Sequence, residues 1–172
     1  MNFRDPAFLR QHIRTIIDFY HPRCLDRKLG GYINQFLDDG TIYDRTTKHL
    51  VGTCRFVYNY AVAGMLFADD EYRTAAAHGL RFLQEVHRQP DGGFAWVLQG
   101  RAVEDGTRHC YGHAFVLLAA AAATRAQIAG AAELIPQVYD LLENRFWEPE
   151  AQLYADEIGA GDWGAVASYR GQ

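Results

Sequence analysis

The sequence predicts an all-α fold, an α/α toroid of about two and a half helical hairpins with short β-hairpins in its loops. Three observations carry this. A turn followed by an aromatic recurs about every 60 residues, at Gly30-Gly31-Tyr32, Gly92-Gly93-Phe94 and Gln152-Leu153-Tyr154. An amphipathic helical stretch precedes each of them. An unusually apolar stretch follows the first two, and the third unit lacks it. Residues 1–172 therefore read as a single partial domain, an arc of a larger ring.

In the first unit, Asp5-Pro6 starts a helix, a capping carboxylate followed by proline at the first helical position. Leu9, Ile13, Ile16, Ile17 and Tyr20 share one face, and Pro22 closes the helix. Gly30 to Ile33 and Asp38 to Ile42 predict a short hairpin turning at Asp39-Gly40. The next helix, from about Thr46 to Phe67, is apolar nearly all round, which predicts packing on several sides.

The second unit repeats the order. Asp69 or Asp70 caps a helix carrying Leu80, Leu83 and Val86, and Pro90 to Gly93 stops it. Phe94 to Val97 is strand-like, Asp105-Gly106 marks a turn, and Tyr111 to Ala123 is a second apolar inner helix. The third unit predicts a helix from about Ala131 to Phe146, with Pro136 as a kink or a later start. Asp156 to Gly164 reads as loop, and Ala165 to Tyr169 as the start of a third inner helix.

Composition narrows the function. Half the residues are hydrophobic and 22% are charged, so the chain can build a core. A net charge of −4 argues against a nucleic-acid surface. The start is polar, with no signal-peptide pattern. The longest apolar run, Ala114 to Ala123, is far shorter than the roughly 20 residues of a membrane span. Neither a nucleic-acid nor a membrane partner is expected. Cys24, Cys54 and Cys110, an odd number without CxxC, read as reduced, mostly buried thiols of a cytoplasmic protein.

Arg55 is the most informative single residue. In so apolar a helix its guanidinium is expected to find little solvent, and so to need a carboxylate or the oxygens of a ligand. An ion pair with Asp44 or Asp156 meets that need, and so does a ligand contact. Val51, Arg55 and Asn59 are spaced to share a face. Tyr111 opens the second inner helix and can donate to a polar ligand at the mouth or pack with its hydroxyl at the rim. His109 and His113 have the i,i+4 spacing of a metal pair, but no third ligand accompanies them and no metal is expected. The loop carboxylates Asp38, Asp39, Asp44, Asp105, Asp156, Glu157 and Asp162 read mainly as turn formers; two could instead act as a glycosidase pair. Trp96, Trp147 and Trp163 stand beside loops, where they could pack or meet a sugar ring. No GxGxxG, P-loop or GxSxG is present.

Thr47-Lys48-His49-Leu50-Val51-Gly52-Thr53-Cys54-Arg55-Phe56, Tyr111-Gly112-His113-Ala114-Phe115, Arg145-Phe146-Trp147-Glu148-Pro149-Glu150 and Leu153-Tyr154-Ala155-Asp156-Glu157 resemble, in order, the N-acylglucosamine 2-epimerase family. The resemblance covers somewhat under half of a typical member. It implies the N-terminal arc of an (α/α)6 barrel and 1,2-proton transfer on an open-chain sugar through an enediolate, with no metal or nicotinamide cofactor. The motifs sit nearer the aldose–ketose isomerases, such as mannose isomerase, than the acylglucosamine epimerases. By the resemblance, Arg55 and Tyr111 contact the sugar substrate, whereas Val51 replaces a tryptophan of some members. The family's proton-transfer histidines, the first in an Asn-x-x-x-His pattern, match none of the seven here, so no catalytic residue is assigned and the chain by itself is expected to be inactive. A glycosidase or lyase using loop carboxylates, or a noncatalytic sugar-binding arc, are the alternatives from other classes.

Overall fold

A computed structural model describes residues 2–160, 163 and 164, and the backbone of 166–168. Its order is α1 (Pro6–Tyr20), β1 (Gln35–Phe36), β2 (Ile42–Asp44), β3 (Thr47–His49), α2 (Leu50–Phe67), α3 (Asp70–Phe82), β4 (Val97–Gln99), β5 (Ala102–Asp105), β6 (Arg108–His109), α4 (Cys110–Arg125), α5 (Leu134–Leu141), β7 (Trp147–Glu148), β8 (Leu153–Tyr154), β9 (Glu157–Ile158) and β10 (Val166–Ser168). The outer helices α3 and α5 each run on into one π-turn, Leu83–His87 and Leu142–Phe146.

Local chemistry sets the helix starts. Asp5 accepts from Ala7 N–H and Asp69 from Glu71 N–H, each at 2.9 Å. Pro136 falls in the first turn of α5, where its missing N–H has no intrahelical partner to lose, so it starts the helix without kinking it. α1, α3 and α5 form the outer layer and α2 and α4 the inner one. Leu50, Cys54, Val57 and Ala61 of α2 pack with Leu80 of α3, with Leu83 where α3 runs into its π-turn, and with Val116, Ala119, Ala120 and Ala123 of α4. The alanines let α2 and α4 approach closely. α2 is apolar and long enough to cross a membrane by composition, but half of that stretch is buried against its neighbours.

The short sheets tie consecutive units together. β3, which leads into α2, pairs with the β4–β5 hairpin of the next unit; β6, which leads into α4, pairs with β9, which pairs in turn with β10. This pairing corrects two expectations. α2 starts at Leu50 rather than near Thr46, because Thr47–His49 is claimed by β4. Val166–Ser168 is a strand against β9, not the start of an inner helix, since a short apolar run takes the conformation whose backbone partner is present. Ala165 and Tyr169 lie outside the described residues. The predicted strands also shift along the chain. Tyr32 and Phe94 make single bridges to Leu25 and Arg88, and the hairpins follow a few residues later.

Candidate functional site

The start of each inner helix is built the same way. Lys48 and Arg108 point inward from β3 and β6 and are fully or nearly fully buried. Lys48 Nζ donates to Asp26 Oδ2 at 2.7 Å and to the Tyr32 carbonyl at 2.9 Å. Arg108 Nη2 donates to both oxygens of Asp91, at 2.9 and 3.0 Å. Burial raises the Asp26 pKa, but donation from Leu29 N–H and Lys48, with the Lys48 charge, outweighs it and leaves the carboxyl below its usual range. The next residue in each copy, His49 or His109, stands at the helix N-cap.

Trp96 lies between these two histidines, with ring centroids 4.3 Å from His49 and 3.9 Å from His109. The His49 contact is edge-on and the His109 contact tilted, and the indole stays partly exposed, so the two histidines flank it without enclosing it. Burial is the main cause lowering both imidazole pKa values. The charges of His109 and Arg55 add to the effect at His49, while Glu157 and Asp105 oppose it at His109. The third residue of each inner helix has to be glycine. A Cβ on Gly52 would overlap the Asn34 side-chain amide, and one on Gly112 would lie 2.8 Å from Leu50 and 3.1 Å from Trp96.

Arg55 is not buried, contrary to expectation. It projects from the exposed face of α2, because α4 covers the neighbouring positions and leaves this one open. No ion pair joins it to Asp44 or Asp156. Instead, Nη2 donates to the Tyr111 hydroxyl at 3.5 Å, and the guanidinium carbon sits 5.1 Å from the centre of the Phe115 ring. Most guanidinium N–H donors remain free. Tyr111 is 56% exposed, on the same side as Ala114 and Leu118. Asn59 joins Arg55, Asn34, Tyr20, Phe56 and Tyr60 around a cavity of about 250 Å³, whereas Val51 turns into the core and does not share that face. Both polar side-chain atoms of Asn34 are buried there without a partner.

The metal alternative has no support in His113. Its Nδ1–H donates to the His109 carbonyl at 2.7 Å and its Nε2 accepts from Phe94 N–H at 3.2 Å, which occupies both nitrogens. Burial pushes its pKa down to about 4, so it stays neutral. Among the described residues no group of three His, Cys, Asp or Glu side chains is arranged for a metal. Asp39, Asp44 and Asp105 cap their own turns, accepting from Thr41, Thr46 and Thr107 N–H. Asp162 lies outside the described residues. Trp147 packs on Tyr154 and Trp163 on Phe146. Cys24, Cys54 and Cys110 are free thiols, the last only half-buried.

Residues 31–172 match the family model described as N-acylglucosamine 2-epimerase (GlcNAc 2-epimerase). The chain belongs to this family. It is 44% identical over 170 residues to a D-mannose isomerase of Marinomonas mediterranea, a match covering 99% of this chain and 43% of that protein. A crystal structure of D-mannose isomerase superposes with a TM-score of 0.92 at 42% identity, over 97% of this chain and 42% of the other. The cellobiose 2-epimerase of Bacillus thermoamylovorans, 22% identical with a TM-score of 0.83 over 94% of this chain and 43% of that one, shares the fold. The chain thus spans about two-fifths of the length of the relatives it matches. For this family member the fold is an α/α-toroid arc, as its repeats predict.

Sequence reasoning singled out Arg55 and Tyr111 but not Phe115, His49 or Trp96 as their surroundings. The signal was present in the repeat. Thr47-Lys48-His49 and Thr107-Arg108-His109 align, which puts Phe115 in α4 at the position Arg55 holds in α2.

Proposed function

We propose that this chain supplies a substrate-binding part of a sugar isomerase, an aldose–ketose isomerase acting on D-mannose. The observation that carries the reading is the Arg55–Tyr111 pair, presented on an exposed face by two inner helices, in a chain 44% identical to a D-mannose isomerase. The substrate is an open-chain sugar. Loss of the C2 proton to a base leaves an enediolate, with negative charge on the former carbonyl oxygen. Transfer of the hydroxyl proton from O2 to O1 and return of the carbon proton to C1 complete the ketose. Arg55 has free N–H donors for the developing charge, and the Tyr111 hydroxyl supplies a further donor beside it. Phe115 under the guanidinium limits its movement, so the donors are oriented before substrate arrives.

None of the histidines is assigned the proton transfer. His87 and His113 spend their ring nitrogens on Thr53, the Ala95 carbonyl, the His109 carbonyl and Phe94 N–H. Residues 1–172 alone are accordingly expected to give no mannose-to-fructose turnover; turnover by the purified chain would overturn this division of roles. In a protein of the relatives' full length, Arg55→Lys should lower kcat/KM by about 100-fold, because an ammonium cannot reproduce the planar fork. Tyr111→Phe should cost about tenfold. Unchanged turnover in Arg55→Lys, with an unchanged unfolding midpoint, would make Arg55 a surface residue only.

A further inference from the structure

The outer surface carries a second polar cleft, away from Arg55 and Tyr111. Arg27, Lys28, Arg81 and Arg101 line a cavity of about 250 Å³ together with His78 and a single carboxylate, Glu85. These residues come from three separate segments: the turn after α1, the outer helix of the second unit, and the tip of the β4–β5 hairpin. All four cations are exposed, and among the described residues none of them forms an ion pair. Three other cations are paired with acids, at Lys48–Asp26, Arg73–Asp70 and Arg108–Asp91, whereas here four stand together around one cleft with a single carboxylate. Four like charges around one cleft, in a chain of net charge −4, repel one another unless an anion joins them.

Part of the cleft is held in shape. Arg101 Nη1 donates to the Leu29 carbonyl at 3.2 Å, and its guanidinium carbon lies 5.9 Å from the Phe82 ring centre. His78 is joined to the Gly31 carbonyl at 2.8 Å. The turn itself is fixed from behind by Asp26, whose Oδ1 accepts from both Lys28 and Leu29 N–H. Arg101 keeps donors free after its one backbone bond, and Arg27, Lys28 and Arg81 keep all of theirs. Guanidinium forks suit the paired oxygens of a tetrahedral oxyanion.

We propose that this cleft is an oxyanion site for a phosphate group, either free phosphate or a phosphate ester. It is independent of the isomerase reading, because it shares no residue with that site. As an exposed site it binds weakly, with a dissociation constant on the order of 1 mM at low salt, loosening as ionic strength rises.

The test is a titration of the 172-residue chain with inorganic phosphate, and separately with a hexose 6-phosphate, followed by amide chemical shifts. Sodium chloride of matched ionic strength is the baseline. Saturable shifts confined to the Arg27–Gly31 turn, the Arg81–Glu85 segment and the Gly100–Arg101 hairpin tip are expected. Arg81→Gln combined with Arg101→Gln should weaken binding by about tenfold or more, and Arg125→Gln, at the far end of α4, should leave it unchanged. Because Arg101→Gln also removes the Leu29 contact, Arg27→Gln with Lys28→Gln is measured in parallel. Tighter binding of the ester than of free phosphate assigns the cleft to phosphorylated sugars, and equal binding assigns it to the free anion. Absence of saturation by about 20 mM, or binding indifferent to both double variants, overturns the proposal.

Discussion

α2 and α4 begin alike and end differently. Each is entered through a threonine, a buried cation and an N-cap histidine, and each has a glycine two residues inside the helix. Further along, equivalent positions diverge. Arg55 and Asn59 of α2 are exposed, whereas Ala119, the counterpart of Asn59, is completely buried where α4 meets α2. Arg55 corresponds to Phe115, and the two meet across the inner face. The entry repeats because both copies must bring a strand from the hairpin below into the helix through the same enclosed space. The later positions are free to differ, because only one of the helices has a neighbour on that side.

The largest test of the repeated entry is loss of its buried cation. Lys48→Met and Arg108→Met each leave an enclosed carboxylate without its partner and should cost about 3–5 kcal/mol in urea unfolding. Lys48 should sit at the upper end, since its pair is the more enclosed: side-chain exposures are 0% and 8%, against 3% and 13% for Arg108 and Asp91. A loss under about 1 kcal/mol at either position would mean that that copy does not depend on its ion pair.

A buried imidazole distinguishes the two junctions next. Thr53 of α2 meets His87 at the end of the following outer helix, whereas His113 of α4 meets Phe146 there. Burial lowers both histidine pKa values to about 4. The folded state therefore holds them neutral, while the unfolded chain takes up protons near pH 6.5. Their contribution is complete above about pH 6.5 and is lost as the pH falls toward about 4, roughly 3 kcal/mol for each. Stability measured across this window should fall in the wild type. It should fall less in His87→Phe, which copies Phe146; an unchanged slope there would assign the acid sensitivity to other groups.

The smallest pair of effects separates covered positions from open ones. Ala119→Asn forces an amide into the α2–α4 contact and should cost about 1–3 kcal/mol. Asn59→Ala on the open side should change stability by less than about 0.5 kcal/mol. Equal costs would show that the open side of α2 is as constrained as the covered one.

Much of this was legible in the sequence. The repeat spacing fixed the helix order, the Asp5 and Asp69 caps fixed two starts, and the all-round apolarity of α2 and α4 marked them as inner helices. Arg55 and Tyr111 were legible as residues of interest, but the environment of Arg55 was not. An apolar helix predicts burial for every side chain on it, yet which faces are covered depends on helices distant in sequence. The same limit applied to Val166–Ser168, where apolar composition suits helix and strand equally and only the partner β9 decides.

By itself the sequence determined the unit of construction, because caps, turn residues and hydrophobic period act within a few residues of one another. It also determined the family, because motifs in a set order do not need coordinates. Tertiary structure alone decided that Arg55 is exposed, joined to Tyr111 and backed by Phe115, that Trp96 meets two histidines, and that four cations share one outer cleft. Each of these is a meeting of side chains from different units, and nothing local along the chain specifies which face a neighbouring helix will cover.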